Sequence, residues 1–98
     1  MLMKNIQVVV SGHSMWPVLD DGQVIECEEY VGQELFIGEI IVFLHPFNSN
    51  LTIIKRIQKI NQEGDLWVVG DNPDPTSSED SHNFGFVSKN NVLGINRG

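Results

Sequence analysis

The chain has a single cysteine, Cys27, among its 98 residues, so it can close no disulfide within itself and build no cysteine-based zinc site. Basic residues are scarce: six Lys and Arg stand against thirteen Asp and Glu, a formal net charge of −7. Such a surface repels nucleic acid and anionic lipid at long range, which argues against a nucleic-acid partner. Long hydrophobic runs are missing as well. The N-terminal stretch "MLMKNIQVVVSG" is interrupted by Asn5 and Gln7, and "FIGEIIVFL" carries Glu39 in its middle. Neither has the length of a membrane-spanning helix or the layout of a secretory signal, so the expectation is a soluble, cytoplasmic protein with no integral membrane segment. A sustained helical apolar period is also absent, which excludes long amphipathic helices.

What is present is a series of short segments rich in Val, Ile and Phe, separated by Gly, Asn, Asp and Pro, the pattern of many short strands. The expected strands are Gln7 to Ser11, Gln23 to Tyr30, Glu39 to Leu44, Thr52 to Ile60, Leu66 to Val69 and a last one near Val92 to Ile95. Turns are expected at Asp20-Asp21-Gly22, Asn48-Ser49-Asn50 and Glu63-Gly64-Asp65. The fold class is all-β: one small, mostly antiparallel domain over residues 1–98 with one elaborate polar loop, "GDNPDPTSSEDSHNFG" from Gly70 to Gly85. Polar loops of that length inside a compact domain are commonly functional or disordered.

Two residues carry candidate chemistry. Ser14, in "SGHSMWPVL", follows an apolar run, but a serine hydroxyl needs a base before it can attack a carbonyl. Its neighbour His13 points to the opposite face of an extended segment. A Ser-His-Asp triad through His82 is open on paper, but the nucleophile-elbow pattern G-x-S-x-G is absent. Lys55, in "TIIKRIQKI", shares a strand face with Ile53 and Ile57 by period-two alternation. Burial there would lower its pKa and make the neutral amine a general base, whereas a lysine at a strand edge would reach to water, as Lys59 is placed to do. Periodicity leaves both readings open. The acids at 71, 74, 79 and 80 lack the spacing of a calcium loop, so no metal or other cofactor is expected.

Three separated segments, in order, resemble the signal peptidase I family of Ser/Lys proteases. "SMWPVL" resembles that family's nucleophile box, with Val18 where threonine is usual. "IIKRI" is similar to its lysine box, and "GDN" with "SSEDSH" to its closing box; "GEIIVFLHP" resembles a further strand of the family. The resemblance implies Ser14 as nucleophile, its own N–H as an oxyanion donor, and Lys55 as the base that takes the proton and returns it to the leaving amine. It further implies Ser78 as the loop serine that orients the lysine and Asp80 as the aspartate that buttresses the site. Met15, Trp16 and Pro17 would form the substrate cleft.

The chain also departs from that pattern. Gly12 stands where some members place an oxyanion serine, leaving the second donor undefined. The loop is two residues longer between Asn72 and Asp80, so Thr76 competes with Ser78, and His82 replaces an arginine. A compact version without a second β subdomain is similar to the maturation proteases of nickel-type superoxide dismutase, which implies a precursor of that enzyme as the protein substrate. Two other readings stand beside this one. A self-cleaving repressor-like Ser/Lys domain would have little chain ahead of Ser14 to cut. A catalytically inert β module that binds a peptide at a strand edge would need neither Ser14 nor Lys55.

Overall fold

The computed structural model describes residues 4–74, 76 and 79–97. Six strands form one antiparallel sheet: β1 (Asn5–Val9), β2 (Val24–Glu29), β3 (Ile40–His45), β4 (Asn48–Ile60), β5 (Leu66–Val69) and β6 (Val92–Asn96), in the spatial order β1-β2-β6-β3-β4-β5. The all-β expectation holds. A single helical turn, α1 (Ser81–Phe84), and a 3-10 turn (Lys89–Asn91) are the helical elements among the described residues.

The strands lie where the apolar segments placed them, with shifted ends. The largest shift is at β4, which begins at Asn48 and takes in the Asn48-Ser49-Asn50 stretch expected to turn. The chain reverses instead at Pro46 and Phe47, between the paired residues His45 and Asn48. Proline presets the backbone for a turn, and the exposed polar residues that follow lose little by extending.

Both faces of the sheet are covered, which explains why β3 reads as an unbroken apolar run. Its alternate residues serve two cores. Ile41 and Phe43 pack with Leu35, Ile57, Leu66, Val68, Phe84, Val87, Val92 and Ile95 on one face. Ile40 and Val42 pack with Ile25, Cys27 and Ile54 on the other, plugged by Val10, Met15 and Leu19 from the β1–β2 connection. On this second face the sheet curls. A Cβ at Gly94 in β6 would lie 3.0 Å from Ile6 Cδ1 of β1 and 3.2 Å from Cys27 Cβ, so glycine gives β1 room to fold inward. Glu39, which interrupts the apolar run in the sequence, sits just ahead of β3. There its carboxylate accepts from Arg97 Nε at 2.5 Å and from the Phe36 N–H at 2.8 Å.

Candidate active site

β4 is longer than its neighbour. β5 pairs with it only from Arg56 onward, so residues 52–55 of β4 have β3 on one side and, among the described residues, an open edge on the other. The curl brings the end of β1 and the turn after it towards that edge. Between them lies a groove of about 340 Å³, lined by Val8 to Met15 on one wall and Leu51 to Lys55 on the other, with His45 and Glu79. Ser14 and Lys55, 41 positions apart in the chain, thus line one cavity.

Lys55 is 2% exposed. It lies between Ile53 and Ile57 on its strand face, opposite Ile41 of β3. Burial disfavours the ammonium form and lowers its pKa to about 8, partly opposed by the negative charge of Asp80. Asp80 is set there by local structure. It caps α1, accepting from the His82 N–H at 2.9 Å, while its own N–H donates to Asn83 Oδ1 at 3.1 Å. The turn is pinned to the sheet by buried Ser81, whose Oγ accepts the Val68 N–H at 2.8 Å, and by Phe84, which meets Phe43 edge-on. His82 brings its Nδ1 within 3.0 Å of Asp80 Oδ1 and sets its ring against Trp67.

Ser14 is held through the opposite face of the same strand. Arg56, next to Lys55, grips Asp71 with two hydrogen bonds of 2.8 and 2.7 Å and donates a third to the Gly38 carbonyl at 2.6 Å. That fork fixes the Gly70-Asp71-Asn72 segment. Asn72 in turn donates its backbone N–H to the Ser14 carbonyl at 2.9 Å and its side-chain amide to the His13 carbonyl at 2.7 Å. Gly70 passes so close that a Cβ there would be 2.6 Å from Ser14 O. The strand that carries the lysine therefore also positions the serine. The Arg56 link was not read from the sequence, and the only signal for it was the basic residue beside Lys55 and the "GDN" stretch.

The remaining expected residues are distributed unevenly. Met15 lines the groove and is fully buried beneath it; Trp16 and Pro17 are exposed and stand outside the lining. Gly12 lines the groove with φ of +90°, and its N–H donates to Asp21 Oδ1 at 2.7 Å, so it supplies a turn that a side chain would strain. Thr76 is exposed and bonded to Asp74 through both Oγ1 and its N–H. Ser78 lies outside the described residues. His45 and Glu79, which sequence reasoning did not single out, are in the lining. Among the described residues no group of three or more His, Cys, Asp or Glu is arranged to hold a metal ion, and no helix is long and apolar enough to cross a membrane.

The family model described as Peptidase S24-like matches residues 4–89, a stretch that includes both walls of the groove. No curated protein matches the chain.

Proposed function

The chain belongs to the Peptidase S24-like family, a Ser/Lys protease-like family with serine protease-type activity, and from that premise we propose that it is an endopeptidase with Ser14 as nucleophile and Lys55 as general base. The observation that carries this reading is the placement of a buried lysine, with its pKa lowered to about 8, in the same groove as Ser14. As Ser14 Oγ attacks the scissile carbonyl carbon, the neutral amine of Lys55 takes its proton. The Ser14 N–H stabilises the oxyanion. The Lys55 ammonium then gives the proton to the leaving amine as the C–N bond breaks, and water hydrolyses the acyl-enzyme with Lys55 again as base.

The open edge of β4 suits an extended substrate that adds to the sheet as a strand. The substrate proposed is the N-terminal leader of a cytoplasmic precursor, specifically that of a nickel-type superoxide dismutase. This last step rests on the resemblance of the sequence motifs alone. Wild-type protein incubated with that precursor is expected to release the leader at one bond, read by mass spectrometry. Ser14→Ala and Lys55→Met are each expected to lower turnover by about 10⁴-fold or more while circular dichroism shows the fold retained. Wild-type activity should rise with pH through about 8, because only the neutral amine accepts the proton. Near-normal turnover in either variant would overturn the dyad; an untouched precursor beside a cleaved generic peptide would remove only the substrate. The family also fits a self-cleaving Ser/Lys domain, which predicts instead that wild-type protein held alone above pH 8 shortens while Ser14→Ala stays intact.

A further inference from the structure

The groove does not end at the dyad. Along β4 it continues from Lys55 past Ile53 to Leu51, and at that end it is bounded by His45 and Glu79. The His45 ring is fixed edge-on against Phe84, with centroids 5.0 Å apart. Its Nδ1 accepts the Phe47 N–H at 3.0 Å, so Nδ1 is the unprotonated nitrogen. Nε2 is therefore the nitrogen turned to Glu79, whose Oε2 lies 3.9 Å away. That is too long for a hydrogen bond, and the Glu79 side chain is 68% exposed. A carboxylate that accepts no hydrogen bond among the described residues thus stands at the rim of a wall that is otherwise apolar at Leu51 and Ile53.

We propose that His45 and Glu79 form a specificity subsite that takes a cationic side chain, Lys or Arg, from the substrate peptide. The inference rests on the peptidase reading and deepens it. A peptide strand paired to the edge of β4 presents every second side chain to the same wall, about 6.6 Å apart. The residue lying over Lys55 is then followed, two positions along, by one lying over Ile53 beside His45 and Glu79. A lysine or arginine there lays its methylenes on Leu51 and Ile53 and brings its charged head to the carboxylate, an arrangement these amphipathic side chains favour. A substrate glutamate at the same position meets Glu79 as a like charge. The net charge of −7 favours the cation at longer range.

Peptides that scan Lys, Ala and Glu through the positions flanking the cut provide the test, with cleavage by the wild-type chain and binding by fluorescence anisotropy measured separately. One position is expected to prefer Lys over Glu by about three- to tenfold, chiefly in KM, the size of effect a partly exposed ion pair supports. Glu79→Lys should reverse that preference, and Glu63→Lys, the same change of net charge in the β4–β5 turn, should leave it in place. Equal use of all three peptides at every position overturns the subsite. So does a lysine preference that survives Glu79→Lys, since the field of the whole molecule would then account for it. If no peptide is cleaved at all, the peptidase reading falls, and the anisotropy arm still decides whether the groove selects a cation through Glu79.

Discussion

Gly70 shows at the scale of one residue why a short motif can be visible in a sequence while its purpose is not. The "GDN" stretch stands out by composition, but the reason for its glycine is a carbonyl 56 positions earlier in the chain: a Cβ at residue 70 would sit 2.6 Å from Ser14 O. The same oxygen accepts the Asn72 N–H at 2.9 Å, so the segment has no freedom to retreat without breaking a bond to the serine it positions. Gly70→Ala is therefore expected to displace the turn that carries Ser14. An error of about 1 Å at a nucleophile costs on the order of a hundredfold in rate, so kcat should fall by about that factor. The pH midpoint should move little, because the charge that acts on Lys55, Asp80, is carried by the cap of α1 and not by the displaced turn. A kcat within twofold of wild type would show that the contact does not position Ser14. The Arg56–Asp71 fork was equally hidden, since pairing across fifteen residues depends on strand register and not on local pattern.

Elements were more legible than their contacts. Apart from the polar start of β4, the strands are runs of apolar or alternating residues bounded by turn formers, and such runs state their own conformation. β5 matches its expected limits to the residue because tightly punctuated ends leave no choice. α1 was not legible: four residues carry no period, and the only signal was Asp80 placed three positions before Asn83, a capping pair lost among the other polar residues of the loop. That turn matters because it carries a negative charge to Lys55. Asp80 favours the ammonium form and so raises the pKa of Lys55 against the effect of burial. Asp80→Asn keeps a side chain able to cap but removes the charge, so the midpoint of the pH–activity curve should move to lower pH. Asp80→Ala should move it in the same direction and also cost about 1 kcal/mol of stability through loss of the cap. A midpoint moving to higher pH would mean that Asp80 does not act on Lys55 by charge.

The whole molecule explains why the groove itself could not be read from the chain. It exists because the sheet curls until β1 faces the open edge of β4, and the curl depends on a glycine in β6 meeting an isoleucine from β1 and on apolar residues from the β1–β2 connection filling the concave face. None of these is a local signal. Building a cationic side chain into such a two-faced core should weaken the fold as a whole, and the sign of that effect follows from linkage. Lys55 binds its proton less tightly folded, with a pKa of about 8, than unfolded at the ordinary 10.5. Below about pH 8 both states are protonated and the full penalty applies, about 3 kcal/mol from the size of the shift. Between about 8 and 10.5 the unfolded chain binds more protons than the folded one, so stability rises with pH and the penalty disappears. Lys55→Met removes the charge at similar volume, and whatever it changes in packing is independent of pH. Urea unfolding of both proteins should therefore show the variant's advantage shrinking by about 2 kcal/mol between pH 7 and pH 10. A gap that stays constant over that interval would mean that Lys55 titrates alike in both states, and the buried-base argument would lose its foundation whatever the activity measurements show.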